Sequence, residues 1–423
     1  MRRLVQSHFA IAVALDVLLG IPLAIGVCSA VSPVSEATAA LSLPAGTVLY
    51  IRLETPINST SSKVHQKVSA EVIRQSFVGG KVAVPLGAKL TGEITKLHAS
   101  ANPNDPALMT IDFTQLQIPE ENSVKISCHI SDVENARETI FKNGTIQGVV
   151  AKDLGSSYVD NAVAKLTQQG GVLGSLLSNF QKTMVGTPDT AIDYPKGTDM
   201  QVTLDKPLSL EKTFPPAAAQ ELPASELDAV RQVLAKAPQR SSTQNGTPGD
   251  PINLVIVGGE QEIRQAFQQA GWEIPAVKQS QSVAKTVQAV VQGRGYGVAP
   301  ISNLYIDRRP QDLAFEKTLN TFAKRHHVRF WRATAEAPGR VPIWLGAAVH
   351  DTGFDIHPGV VSHATSPNLD KERAKVGADL LASGFVSAEQ LVTPPKPLHQ
   401  GLTGTGGPWE TDGKLLVIAL KPH

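Results

Sequence analysis

Hydrophobic and polar residues alternate in short runs along the first half of the chain, and Gly, Pro and Asn separate these runs. Alternation with a period of two residues is typical of strands that bury one face. Short strands at even spacing favour a sandwich or a closed barrel. We therefore predict a mainly-β barrel domain over residues 43–212. Its predicted strands are residues 47–53, 68–73, 82–85, 89–96, 109–116 and 124–129.

One stretch inside this region, residues 158–180, departs from the strand pattern. Its small and apolar residues recur at helical spacing, and Gly170 and Gly171 divide it in two. We expect two short helices here, as a helical insert between strands of the barrel.

The second half shows a different pattern, in which apolar strands alternate with amphipathic helical segments. Residues 213–250 are predicted to be a linker that contains one helix at 225–237, and the polar segment 240–251 is expected to be exposed. Residues 251–423 are predicted to form an α/β domain, a mixed sheet with flanking helices. One of these helices is expected at residues 311–325, where the apolar positions fit an amphipathic helix.

The first 40 residues have the order of an export signal. Arg2 and Arg3 precede an apolar run over residues 9–31, and small residues follow that run. The run is long enough to cross a bilayer, but Asp16 and Pro22 disfavour a permanent anchor. A cleaved signal peptide and a retained membrane anchor both stay open. Either would place the rest of the chain in the periplasm or at a membrane of the cell envelope.

The composition excludes three classes of protein or site. The chain has 39 Lys and Arg against 38 Asp and Glu, which gives a formal net charge of +1. A nucleic-acid-binding protein would carry a basic excess. Cys28 and Cys128 are its two cysteines, so a disulfide-rich scaffold and a cysteine-based zinc site are excluded as well.

The densest group of candidate site residues lies in the second half. His350 and Asp351 directly follow a strand predicted at 342–349, and ligand sites of α/β proteins form at such strand ends. Imidazole and carboxylate groups together could hold a divalent metal and activate its bound water. The candidate ligand or metal cluster comprises His350, Asp351, His363, His327 and Asp370. The alternative is that these residues are structural, and the sequence identifies neither a catalytic residue nor a further cofactor.

A second group of residues suits ligand binding. Arg329 and Trp331 share one face of a predicted strand with His327, and Arg373 lies in the first turns of a predicted helix. A guanidinium beside an aromatic ring can clamp an anionic or glycan-like ligand. The alternative interpretation places Trp331 in the core and pairs Arg329 with a carboxylate.

Motifs over residues 43–212 resemble the TrbI-like channel component of conjugation and type IV secretion systems. They are GTVL at 46–49, INS at 57–59, VPLGA at 84–88, LTGE at 90–93, IDYPKGT at 192–198 and VTL at 202–204. The resemblance implies a β-barrel that carries a helical projection. The long Pro-rich stalk that precedes the barrel in that family is missing, so the resemblance implies the fold and not the channel-building role.

Residues 250–391 resemble the LssY C-terminal domain family. The motifs are PINLVIVG at 251–258, AGW at 270–272, QDLAFE at 311–316, RHHVRFW at 325–331, WLGAA at 344–348, HD at 350–351 and NLDKER at 368–373. The family is associated with bacterial membranes, and the resemblance implies a fold without implying a reaction.

Two hypotheses for the function follow. The first is an exported protein that binds or scaffolds in the cell envelope, with an envelope protein or a small ligand as its partner. The second is a metal-assisted hydrolase built around His350, Asp351 and His363. The first is favoured because the sequence shows no complete catalytic set. The ligand, the oligomeric state and the partner system stay open.

Overall fold

In the computed structural model, the first half of the chain is a β-barrel, as the alternating pattern predicts. The structure describes residues 41–102, 104–119, 122–150, 190–217, 220–275, 302–321, 324–357, 360–404 and 406–422. The strands of the first half are β1 (Leu41–Leu43), β2 (Val48–Leu53), β3 (Ile57–Asn58), β4 (Lys67–Val72), β5 (Ser76–Val78), β6 (Lys81–Val84), β7 (Lys89–His98), β8 (Leu108–Gln117), β9 (Val124–Lys125), β10 (Cys128–Val133), β11 (Thr139–Ile140), β12 (Ile146–Gln147), β13 (Asp193–Tyr194), β14 (Asp199–Leu204) and β15 (Leu208–Leu210).

The barrel is one antiparallel sheet in the order β10-β14-β2-β4-β7-β8-β12-β11, with β9 paired to β8. Strand β10 also lies against β8, which nearly closes the sheet. Three short strand pairs, β1 with β15, β3 with β13 and β5 with β6, stand beside it. The helical insert expected at residues 158–180 lies outside the described residues.

The interior of the barrel follows from the period-two alternation. In β2 the side chains of Leu49, Ile51 and Leu53 are buried, and the residues between them are half-buried. In β4 the buried positions are again every second residue, including Val68 and Val72. A one-residue shift would turn these side chains to solvent, so this pattern specifies the strand register.

The second half contains the predicted mixed sheet and three α-helices among its described residues. Its elements are α1 (Ala224–Lys236), β16 (Arg240–Ser242), β17 (Pro248–Pro251), β18 (Leu254–Val257), α2 (Glu260–Gln269), β19 (Tyr305–Ile306), β20 (Arg309–Pro310), β21 (Leu313–Lys317), β22 (Lys324–Ala337), a short 3₁₀ turn (Pro338–Arg340), β23 (Val341–His357), β24 (Val360–Thr365), α3 (Leu369–Ala382), β25 (Val386–Val392), β26 (Gln400–Leu402), β27 (Pro408–Glu410) and β28 (Leu415–Leu420).

The main sheet of this α/β part has the order β21-β22-β23-β18-β28-β25, with β24 paired to β23. Strands β18 and β28 are parallel, and the other pairs are antiparallel. Helix α1 covers one face, where Val230 and Leu234 join the same hydrophobic cluster as Trp331. Helices α2 and α3 cover the other face, where Phe267 and Leu380 pack with Phe330.

The polar segment at residues 240–251 is exposed over residues 244–248, as expected, but it has regular structure where a spacer was predicted. It forms the hairpin β16–β17, and β16 pairs in turn with β19. Ser241 is buried, and its hydroxyl donates a hydrogen bond to the carbonyl oxygen of Asp250 at 3.0 Å. A Ser- and Thr-rich composition is typical of spacers, but here these polar groups are satisfied within a small sheet.

The prediction of a helix at residues 311–325 is wrong for the first part of that range. Residues Leu313–Lys317 form the edge strand β21, which pairs with β22. Leu313 and Phe315 are buried and lie two residues apart, which is the spacing of one face of a strand. Short apolar runs do not distinguish the two periods.

The barrel and the α/β part belong to the same compact unit of the chain. Across the described ranges, the structure contains no helix with the length and apolar character needed to cross a membrane. The contacts between the two parts run from strands β2 and β14 and the turn after β10 in the barrel to strands β21, β22 and β23 and helix α3. These contacts position the candidate site.

Candidate functional site at the junction of the barrel and the α/β part

The pairing of β22 with β23 divides the candidate residues between two faces of the sheet. Arg325 lies opposite Asp351, and His326 lies opposite His350. Because successive side chains of a strand point to opposite faces, Asp351 and His350 face different sides. His327 shares the face of Asp351. The structure therefore brings Asp351 and His327 together and separates both from His350.

Asp351 is buried in a network of charged residues. Its carboxylate accepts hydrogen bonds from Nε of Arg325 at 2.9 Å and pairs with Nε2 of His327 at 3.3 Å. Arg325 also reaches Glu316 at 3.4 Å. Burial lowers the pKa of His327 although Asp351 favours its charged form. The side chains of Arg325 and His327 therefore both pair with the Asp351 carboxylate.

Arg329 and Trp331 are both buried. Nη1 of Arg329 donates to Oδ2 of Asp250 at 2.9 Å, and its Nε donates to the carbonyl oxygen of Ser302 at 3.2 Å. Trp331 is 1% exposed and belongs to the hydrophobic cluster under helix α1. This arrangement matches the alternative in which Trp331 is core and Arg329 pairs with a carboxylate.

Asp370 and Arg373 fasten the start of helix α3 to the segment before β28. Asp370 accepts hydrogen bonds from Oγ1 of Thr411 at 2.6 Å and from the backbone N of Asp412 at 2.8 Å. Arg373 makes two hydrogen bonds to the Asp412 carboxylate, at 2.7 and 3.0 Å. His363 lies in β24, where it pairs with Phe354 of β23. Among the described contacts, neither Asp370 nor Arg373 reaches His350.

His350 instead meets His326, which the sequence allowed as an alternative to His327, and a barrel residue that the sequence did not connect with it. Its ring stacks on His326 with centroids 4.1 Å apart, and its Nε2 lies 3.0 Å from Oδ1 of Asn135 in the barrel. Nδ1 of His326 lies 2.7 Å from Oε2 of Glu372 in α3, and its Nε2 lies 3.3 Å from Oε1 of Glu134. We call His326, His350 and Glu372 the histidine group.

The two stacked imidazoles have opposite pKa shifts. Burial alone would lower the pKa of His326, but Glu372 and Glu134 raise it to about 9. Burial and then the charge of His326 lower the pKa of His350 to about 4. At neutral pH one ring is therefore charged and the other is neutral.

Beside the histidine group lies a buried ionic cluster that joins the barrel to the α/β part. We call it the junction cluster; its members are Arg52, Glu134, Asp199, Lys317, Lys375 and Asp379. Arg52 donates from Nε and Nη2 to the Asp199 carboxylate at 2.7 and 3.1 Å. Asp199 also accepts from Nζ of Lys317 at 2.6 Å and from Nζ of Lys375 at 3.0 Å.

The second carboxylate at the centre of this cluster belongs to the α/β part. Asp379 accepts from Nζ of Lys375 at 2.5 Å and from Nε1 of Trp272 at 2.9 Å. Arg52 of the barrel reaches it at 3.3 Å. Lys375 also lies 3.3 Å from Glu134. Each charge therefore has an opposite partner, which a buried charge requires.

Pairing sets the protonation states in the junction cluster. Burial alone would raise the pKa of Asp199, but Lys317, Lys375 and Arg52 hold it well below its ordinary value. The pKa of Asp379 is lowered in the same way by Lys317 and Lys375 against the effect of burial. Both aspartates are therefore ionised at neutral pH.

The depressed pKa values predict a loss of stability in acid. A carboxylate with a lower pKa in the folded state contributes stability above its unfolded pKa of about 4, and that contribution is lost as the pH falls from there through the folded pKa. We expect the free energy of unfolding, measured with urea, to fall progressively as the pH is lowered below about 5. The double variant Asp199→Asn/Asp379→Asn should be less stable at neutral pH, and its free energy of unfolding should fall less steeply as the pH is lowered. Equal slopes for the parent and the variant would contradict the assignment of depressed pKa values to these two aspartates.

An open cavity of about 320 Å³ lies next to the junction cluster. The barrel contributes Glu134, Asn135 and residues 195–199 to its wall. The α/β part contributes Gln268, residues 271–273 and residues 317–319. The ion-paired Asp199 and Lys317 line the cavity, so a portion of its polar wall is fixed before any ligand arrives.

Some of this site could be detected in the sequence. Glu372, Lys375 and Asp379 lie three and four residues apart in α3, so they share one helical face, and all three are buried. Charged residues on a buried helical face indicate paired charges. Their partners Arg52, Asp199 and Glu134 lie more than 170 residues away, and no sequence pattern connects them.

Comparison with known proteins gives a family match and similarities to solved structures. Residues 234–415 match the family model described as the LssY C-terminus. This range begins before residue 250, so it includes the hairpin β16–β17. The structure of ComB10 of the Com type IV secretion system of Helicobacter pylori is similar at 14% sequence identity, over 41% of this chain and 94% of that chain, with a TM-score of 0.24. The comparison with curated proteins found no match.

Proposed function

We propose that this chain is an exported cell-envelope protein of the binding or scaffolding type, and that the cavity at the junction is its ligand site. The observation that carries the proposal is that cavity, about 320 Å³ in volume. Its volume is within the range of small-molecule sites, which are largely formed before their ligand binds. The junction cluster supports it because paired charges hold the walls in place.

The pairing of the candidate acid–base residues favours binding over catalysis. An acid–base catalyst needs a group that can reach the substrate and exchange a proton with it. Asp351 and His327 are buried against Arg325 and Arg329, on the sheet face opposite to His350. The hydrolase hypothesis required His350, Asp351, His363 and one of His326 or His327 to converge in a pocket. It receives no support, because Asp351 and His350 face opposite sides of the sheet.

The lining of the cavity indicates the class of ligand. Carboxylate, amide and hydroxyl groups come from Glu134, Asn135, Gln268, Glu273 and Thr318. Such groups exchange hydrogen bonds with a small polar ligand that carries hydroxyl or amino groups. We therefore assign sugars and amino acids as the ligand classes to test first.

Blocking the cavity tests this assignment. The purified protein is screened with a panel of neutral sugars and amino acids by thermal shift, beside Thr318→Trp, which fills the cavity, and Thr139→Trp on the exposed face of β11. We expect a ligand that raises the melting temperature of the parent and of Thr139→Trp but not of Thr318→Trp. A ligand that stabilises all three proteins equally, or a panel without any stabilising member, contradicts this assignment.

The envelope location is supported by the order of charge and apolar residues at the start of the chain. It is tested by fractionating bacteria that produce the full chain, beside a variant in which Arg2 and Arg3 are replaced by Glu. We expect the parent in the periplasmic or membrane fraction and the variant largely in the cytoplasm, because the positive start orients the apolar segment. A parent chain in the cytoplasm would contradict the location.

A further inference from the structure

We propose that the histidine group, His326, His350 and Glu372, is a binding site for a divalent transition metal of the zinc class. Each of the three side chains presents a ligand atom, and these atoms all lie within 4.8 Å of one another. His326 and Glu372 are buried, and His350 is half-buried. The site is independent of the ligand proposed for the cavity.

Two buried atoms in the group lack a hydrogen bond. They are Oε1 of Glu372 and Nε2 of His326, for which the described residues provide no hydrogen-bond partner. Nε2 of His326 faces Glu134, whose Oε1 lies 3.3 Å away as an ion-pair partner. Buried carboxylate oxygens are nearly always satisfied. The unpartnered Oε1 of Glu372, on a carboxylate beside two imidazoles, therefore points to a cation bound at the histidine group.

The spacing needs only a small adjustment to admit an ion. Nδ1 of His326 and Oε2 of Glu372 are 2.7 Å apart. Two ligand atoms of one tetrahedral zinc ion are about 3.3 Å apart, because each lies about 2 Å from the metal. An opening of about half an ångström would replace the present hydrogen bond with two bonds to the ion, and the proton on Nδ1 of His326 would be released to solvent.

The barrel supplies the groups that orient the two imidazoles. Nε2 of His350 is 3.0 Å from Oδ1 of Asn135, and Glu134 lies beside His326. A metal-binding histidine usually donates its other ring nitrogen to a carboxylate or an amide oxygen in this way. The α/β part would hold the ion and the barrel would hold the rings, so the ion would strengthen the junction.

The ligand set selects the class of metal. Two imidazoles and one carboxylate suit zinc and related borderline ions, whereas magnesium and calcium prefer sites built of oxygen atoms. Glu134 and Asn135 also line the open cavity, which provides a path by which an ion can enter. A water molecule could fill the fourth position from that side.

Metal binding to the untagged full-length protein tests the proposal. The protein is stripped with a chelator and titrated with Zn²⁺ and with Mg²⁺ by calorimetry, and with Co²⁺ by visible absorption. We expect one Zn²⁺ per chain, cobalt bands typical of a tetrahedral site and no binding of Mg²⁺. A parent protein that binds no Zn²⁺ overturns the proposal.

Variants locate the site. His350→Ala and Glu372→Gln remove ligands and should abolish the cobalt bands, and Asn135→Ala should weaken Zn²⁺ binding about 10–100-fold. The matched control is His98→Ala, an exposed histidine paired with Asp105, which should bind as the parent does. Equal Zn²⁺ binding by His350→Ala and His98→Ala overturns the assignment. Should Glu372→Gln fail to fold, as judged by circular dichroism, the half-buried His350→Ala decides the outcome.

Discussion

Replacement of Asp199 by alanine is expected to lower the free energy of unfolding by about 3–5 kcal/mol. Asp199 is 5% exposed and receives hydrogen bonds from Arg52, Lys317 and Lys375. Its removal leaves three buried cations with too few negative partners, and an uncompensated buried charge is far more costly than the loss of a surface pair. The free energy is measured by urea unfolding at neutral pH.

The control for this variant is a carboxylate on the surface of the same barrel. Asp205 pairs with His129 at 2.6 Å but is 42% exposed, so Asp205→Ala should cost less than about 1 kcal/mol. A value for Asp199→Ala as small as that of the control would mean that the junction cluster does not hold the barrel and the α/β part together.

Replacement of Asp351 by alanine is expected to cost a similar amount, about 3–5 kcal/mol. Asp351 is 3% exposed and carries the hydrogen bond from Arg325 and the contact with His327. Without it, the buried Arg325 loses a principal carboxylate partner. This prediction distinguishes a structural role of Asp351 from the ligand-binding or metal-binding role that the sequence suggested. Residues selected for function commonly add little to stability or reduce it.

A helix-surface carboxylate provides the comparison for Asp351. Asp228 in α1 is 65% exposed and pairs with Arg231, so Asp228→Ala should leave the urea midpoint nearly unchanged. If Asp351→Ala is as stable as the parent or more stable, then Asp351 belongs to a functional site and not to the framework.

Alternation along the chain was sufficient to predict the barrel, since every second residue is buried in strands such as β2 and β4. The candidate cluster is divided between two faces of the sheet for a reason that concerns one strand. The predicted strand ended at Val349, which placed His350 and Asp351 together beyond it. Strand β23 continues to His357, so both residues lie within it and alternate between its faces.

The partners of His350 could not be predicted from local patterns. Asn135 and Glu134 come from the barrel, and Asn135 lies 215 residues from His350 in sequence. Ion pairing at long range leaves no periodic signal, and only the charged face of α3 indicates that partners exist. The structure of the polar segment at 240–251 could not be predicted from its composition. A polar composition indicates exposure, but it does not indicate that strand β19 pairs with this segment.

The central claim is that the junction cluster unites the barrel and the α/β part into a single cooperative unit. Two native reporters distinguish these regions. The barrel contains the buried Cys128. The α/β part contains all four tryptophans of the chain, Trp272, Trp331, Trp344 and Trp409. Burial, followed by nearby carboxylates, raises the pKa of the Cys128 thiol to about 12, so the folded barrel protects it from thiol reagents.

The most direct measurement is urea unfolding of a Cys28→Ser variant, followed by tryptophan fluorescence and by pulse labelling of Cys128. Coincident transitions by different probes are the mark of a single cooperative unit. We predict one shared midpoint for both signals. Separate midpoints, with the barrel or the α/β part unfolding while the other keeps its native signal, would contradict the account.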